Sequence, residues 1–136
     1  MNNEIANLEN IKVVLVSVNK SFNNMLNKKY PNGRKELLDC VQKYWPVKPE
    51  RANEADFVLG VYKNEIKVVA KIVKPWKRVS SYLSQGFFKD DEELKENPDL
   101  INRCAFIGEL VENSPYLGKN LSSEDSLHFL FKYKNC

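Results

Sequence analysis

Residues 45–76, W-P-V-K-P-E-R-A-N-E-A-D-F-V-L-G-V-Y-K-N-E-I-K-V-V-A-K-I-V-K-P-W, decide how this chain is read. Residues 49–55 are proline-led and acidic, which predicts one helical turn. Residues 56–62 and 66–73 are rich in β-branched side chains and predict an antiparallel hairpin. Lys63-Asn64-Glu65 connects them, and Asn64 tolerates the positive φ such a turn requires. Glu65, Lys67 and Lys71 make the second strand partly alternating, so one of its faces meets water. The stretch closes on a second tryptophan set among Lys74, Lys77 and Arg78.

Working outward, residues 11–18, I-K-V-V-L-V-S-V, predict a buried strand. Residues 34–44 predict a helix after the turn signal Pro31-Asn32-Gly33. Leu37, Leu38, Val41 and Tyr44 form one apolar stripe on it, and Pro46 ends it by disfavouring helical backbone in the residue before it. Residues 79–102 read as a surface insertion: loop around Ser80-Ser81-Tyr82 and Gln85-Gly86-Phe87-Phe88, then a short acidic helix at 90–96. Residues 103–110 predict a strand in which Gly108 marks a bulge or a close backbone approach. Residues 116–121 read as irregular and 128–133 as a final strand. The expected fold is therefore α+β, a small and mostly antiparallel β-barrel of five or six strands with one main helix near the N-terminus. Residues 1–136 are expected to make a single domain with a flexible start at 1–10.

Composition narrows the functional classes. An apolar fraction of 43% and a charged fraction of 29% are ordinary for a globular protein. No apolar run approaches a bilayer span, and the first ten residues lack the basic start and apolar core of a signal peptide. Cys40, Cys104 and Cys136 are odd in number and far apart, which predicts reduced thiols and a cytoplasmic protein. One histidine, His128, disfavours a His-based metal site or triad, and no cofactor is expected. Residues 1–78 hold 15 Lys/Arg against 8 Asp/Glu, and residues 79–136 hold 6 against 10, so the chain is basic first and acidic second.

Trp45 and Trp76 have two readings. They either wall a pocket that stacks an unpaired base or plug the end of the sheet as large apolar groups. Lys48, Arg51, Lys74, Lys77 and Arg78, and more distantly Lys20, Arg103 and Lys119, are candidates for phosphate contacts; the alternative is a solvated basic face. Asn19-Lys20-Ser21 directly follows the first strand, where it lines a pocket mouth or starts a turn. The carboxylate run at 90–96 lacks Ca²⁺-loop spacing, and Tyr116-Leu117-Gly118-Lys119 lacks that of a P-loop. No catalytic residue is assigned.

Taken together, Val18-Asn19-Lys20-Ser21-Phe22, Trp45-Pro46-Val47, Arg51-Ala52, the run from Ala55 to Tyr62, Trp76, Arg103, Phe106, Gly108 and Tyr116-Leu117-Gly118-Lys119 form a spaced pattern. In it the chain resembles an uncharacterised bacterial module found alone or behind GIY-YIG nuclease domains. The chain departs from that pattern at Cys104, at Asn64 and in the length and acidity of 79–102. The nuclease domain is not part of the likeness, so cleavage is not implied. More loosely, the layout is similar to PUA-like barrels such as the EVE and ASCH domains, which bind nucleic acid or modified bases at one barrel end. The resemblance implies a non-catalytic nucleic-acid-binding module that recognises a flipped or modified base. A protein-interaction module regulating a nuclease or restriction-type system is the alternative. The expected partner is DNA or RNA, with a nuclease as a protein partner in the alternative and no membrane.

Overall fold

The computed structural model describes residues 4–19, 37–127 and 130–136. These form a mixed α+β fold around a six-stranded sheet, in the order β2-β5-β4-β3-β1-β6, that curls into a half-barrel. The strands are β1 (Val13–Ser17), β2 (Lys43–Trp45), β3 (Phe57–Tyr62), β4 (Glu65–Arg78), β5 (Cys104–Leu110) and β6 (Phe131–Lys134). Four short helices join them: α1 (Leu37–Gln42), α2 (Pro49–Ala52), α3 (Val79–Ser84) and α4 (Glu92–Glu96), with a 3₁₀ turn at Pro98–Asn102. This corrects the expectation of one main helix near the N-terminus. The described helices are short, lie between β1 and β5, and none is N-terminal.

The central strands are buried on both faces, which is why β1 reads as a continuous apolar run. Val14, Val16, Val58, Val68, Ala70, Trp76 and Phe106 belong to the core under α1 and the 45–52 segment. Val13, Leu15, Leu59, Val61, Ile66 and Val69 pack on the opposite side with Ala6, Leu8 and Leu121. β1 pairs with β3 in parallel, and the other four pairings are antiparallel.

The β3–β4 hairpin forms where expected, with a tighter turn. Only Lys63 and Asn64 connect the strands, with φ of 49° and 66°. Positive φ at both central positions is the geometry whose twist matches a two-stranded ribbon. β4 runs to Arg78, well past the expected end at residue 73. Proline cannot donate to a ladder, and Pro75 is accommodated because the register with β5 shifts between Ile72 and Lys74 and again between Lys74 and Lys77.

Two elements differ from the sequence-based expectation. The predicted helix over 34–44 ends at Gln42, and Lys43–Trp45 is a strand paired to the edge of β5. Pro46 bars helical backbone at Trp45, while the aromatic pair Tyr44-Trp45 suits a strand. Residues 79–102 do lie between strands, but they are no loose loop. Val79, Leu94, Tyr44 and Ala105 make a third core, flanked by Leu83, Phe88 and Leu100. The acidic helix forms as expected, with the Glu93 amide donating to Asp91 Oδ1 at 3.2 Å.

Both core glycines answer to close packing. A Cβ on Gly108 would stand 2.7 Å from the Lys71 carbonyl oxygen, the close backbone approach expected there. A Cβ on Gly60 would meet Val41 Cγ1 at 2.6 Å and Val68 Cβ at 3.1 Å. Gly60 therefore sets how near α1 lies to the sheet. Gly60→Ala is expected to cost about 1–3 kcal/mol of stability in urea denaturation, with Val41→Ala partly restoring it in the double variant. An unchanged midpoint in the single variant would show that α1 yields freely.

Candidate nucleic-acid interface

The last five residues of β4, K-P-W-K-R, build the region of interest. The two bulges break simple alternation, so Trp76 enters the core while Lys74 is exposed and Lys77 half-exposed. Trp76 is 1% exposed and its ring lies 4.7 Å from that of Phe106. Its main chain is gripped on both sides by Asn53. The Trp76 amide donates to Asn53 Oδ1 at 2.6 Å, and Asn53 Nδ2 donates to the Trp76 carbonyl at 3.0 Å. This clamp ties α2 to the end of β4.

Trp45 is 5% exposed, and its indole Nε1 donates to the Val41 carbonyl at 2.8 Å, capping α1. Both tryptophans therefore sit in the packed core, with neither ring face open to a base. Of their two readings, the apolar plug is the one this geometry has.

The remaining candidates separate into groups. Arg78 Nη1 donates to the Asn102 carbonyl at 2.9 Å, next to Lys77 on the strand. The Arg51 guanidinium lies 4.0 Å from the Tyr133 ring centroid and donates to the Cys136 carbonyl at 2.7 Å, anchoring α2 to β6. Asn19 and Lys119 are elsewhere. Asn19 Oδ1 accepts from the Lys63 amide at 3.0 Å, and the Lys119 carbonyl accepts from the Ile66 amide at 2.8 Å. Lys119 Nζ also stands 3.5 Å from Glu4 Oε2. Both therefore lie at the hairpin end of β4, roughly 30–40 Å along the strand from Lys77. They do not share one site with Lys74, Lys77 and Arg78. Lys20 and Ser21 fall outside the described residues.

What surrounds the lysines is aromatic. Lys77 Nζ lies 5.8 Å from the Tyr82 ring centroid, and Lys74 Nζ lies 5.9 Å from that of Phe87. α3 carries Tyr82 under the strand end, and the Tyr82 hydroxyl donates to the Pro75 carbonyl. Burial pushes the Tyr82 phenol above its ordinary pKa, so it remains a neutral donor at physiological pH. Gly86, at φ 93°, then reverses the chain, and the Phe87 amide donates to the Tyr82 carbonyl at 3.0 Å. The Tyr82 and Phe87 rings meet edge to face at 5.4 Å. Phe87 and Phe88 are both half-buried.

A buried ion pair fixes this unit to the sheet. Lys43 Nζ stands 2.9 Å from Asp91 Oδ2, with side-chain exposures of 7% and 4%. The Tyr44 hydroxyl donates to the same carboxylate oxygen, and the Lys43 ammonium also lies 5.8 Å from the Phe88 ring centroid. Strand β2, the Phe87-Phe88 turn and the start of α4 are thus held at one point.

Sequence reasoning missed Phe87, Asp91 and Lys43 as members of this arrangement. The available signal was a Phe-Phe pair directly after a glycine in an otherwise polar segment. Cys40 and Cys104 lie in the core as expected, and Cys136 is half-buried. Burial, reinforced by Glu50 and opposed by Arg78, pushes the Cys104 thiol up, which leaves little thiolate there. Among the described residues, no cluster of three or more His, Cys, Asp or Glu could hold a metal ion, and no helix is long and apolar enough to cross a membrane. Two open clefts, of about 580 Å³ beside Phe57, Lys71 and Glu109 and of about 230 Å³ beside Leu8, Asp125 and Lys134, are not lined by either tryptophan.

Comparison with protein-family models, curated proteins and solved structures finds no match to the chain.

Proposed function

We propose that the chain is a non-catalytic nucleic-acid-binding module on a PUA-like half-barrel, in line with the family its spaced motifs resemble. The observation that supports this is the pairing of cations with rings at the end of β4. Lys74 and Lys77 each stand beside an aromatic face, with Arg78 next in the chain. Neither lysine is in an ion pair given by the described residues, so their charge is directed to solvent and to whatever anion arrives. Phosphates suit such a surface, because each lysine that neutralises one releases a counterion and ties affinity to salt. The contact surface of this reading is the β4 end with α3, and the tryptophans support it from beneath.

The test is a salt series of fluorescence anisotropy with labelled DNA and RNA oligonucleotides. The wild-type protein is expected to bind with a log–log slope set by two or three phosphates. Lys74→Glu/Lys77→Glu should reduce affinity about tenfold or more at low salt and flatten the slope by about 1.5 to 2. Absence of binding at low salt, or an unchanged slope in the double variant, would overturn the proposal.

A further inference from the structure

We infer that the strand taken by this surface is unpaired, with one base stacked against Phe87, the half-buried ring beside Lys74. The inference rests on the nucleic-acid reading above and adds to it the ligand class and the residue that selects it. In a duplex every base face is covered by its neighbours, so a half-buried phenyl ring gains nothing from it. An unpaired base offers a π-face that any aromatic side chain can use, whatever the base.

Phe87 is built for that contact rather than merely left at the surface. Its amide is bonded to the Tyr82 carbonyl, its ring meets that of Tyr82 in a T-shaped contact, and the next residue, Phe88, sits at φ 63° beside the Lys43 ammonium. The ring is thus held in place before any ligand arrives, and little side-chain order remains to be lost on binding. Lys74 stands beside the same ring, placed to meet the phosphate of a stacked nucleotide. Val73, 52% exposed, and Pro75 flank Lys74 with apolar surface.

Charge argues in the same direction. Asp90, Glu92, Glu93 and Glu96 follow Phe87 within one short stretch of chain. A duplex presents about one phosphate charge per 1.7 Å of axis from its two strands together, so a broad footprint would bring phosphates against these carboxylates. A single strand crossing Phe87, Lys74 and Lys77 needs only a short contact.

The experiment compares labelled oligo-dT, oligo-rU and a hairpin duplex against the full chain, its Phe87→Ala and its Phe87→Trp variants. Single strands are expected to bind more tightly than the duplex. Phe87→Ala should weaken single-strand binding about 5- to 100-fold, while duplex binding and melting temperature stay close to wild type. Phe87→Trp should restore binding, and its fluorescence should be quenched as the base stacks, over a background from the buried Trp45 and Trp76. Equal binding of duplex and single strand, or an equal loss on both in Phe87→Ala, would overturn this inference and leave the broader proposal standing. An acidic peptide that binds as tightly as the oligonucleotides would also overturn it, in favour of a protein partner. If no oligonucleotide binds at all, both readings fail together.

Discussion

Trp76→Ala is expected to lose about 3–5 kcal/mol of stability, which for a chain of this size lowers the melting temperature by roughly 10–18 °C. The side chain is 1% exposed, packs against Phe106 and stands in the same core as Val68, Ala70 and Val41. Truncation to alanine would leave a cavity that β4 cannot close, because Asn53 holds the Trp76 main chain from both sides. The indole Nε1 is itself buried without a hydrogen-bond partner among the described residues. Trp76→Phe removes that unpaired donor while keeping a ring, so its cost should be much smaller, about 1 kcal/mol or less. Urea denaturation of the two variants separates them. A fully stable Trp76→Ala protein with weakened oligonucleotide binding would restore the tryptophan to the role of base platform and contradict its core placement.

Asp91→Ala should be comparably severe. Lys43 is nearly as inaccessible as its partner, and removing the carboxylate leaves an ammonium buried without its counter-charge, at a cost of about 3–5 kcal/mol. The Tyr44 hydroxyl loses its acceptor as well. The loss is specific to breaking the pair. Replacing both members by apolar side chains of similar volume, Lys43→Met with Asp91→Leu, should recover most of the stability. A double-mutant cycle in urea measures the coupling. A single-variant loss below about 1 kcal/mol would mean that water reaches Lys43 and replaces the carboxylate. The same substitution should also blunt the effect of Phe87, because the turn carrying that ring is clasped through Asp91.

How much of this was legible depended on whether the causes were local. β1 and the β3–β4 hairpin announced themselves through runs of Val and Ile and through an Asn-containing turn, and both are there. Gly108 likewise betrayed a close backbone approach. The end of β4 was not legible, since Pro75 argues against a strand unless a neighbour supplies the register shifts that admit it. Nor was Lys43–Trp45, whose strand conformation depends on pairing with β5, some 60 residues later in the chain. The basic residues at 74–78 were identifiable as a group because they are contiguous. Their separation from Asn19 and Lys119 was not, because it follows from the length of β4 rather than from any local pattern.

The sequence by itself determined the buried first strand, the place of the β3–β4 hairpin, the short acidic helix and the basic character of residues 1–78. Each rests on periodicity, propensity or charge within a few residues. Only the tertiary structure decided which aromatics face inward. Trp45 and Trp76 are the larger rings and stood beside cations, yet they are buried, because bulges in β4 and the Asn53 clamp turn Trp76 toward Phe106. Phe87 sits in a segment that reads as loop, yet it is half-buried beside Lys74, because Tyr82 packs against it and the buried Lys43–Asp91 pair fixes the turn that carries it. Hydrophobicity specifies that large apolar groups be buried somewhere. Which of them remains available to a ligand is settled by long-range hydrogen bonds and one buried charge pair, whose partners lie far apart in the chain.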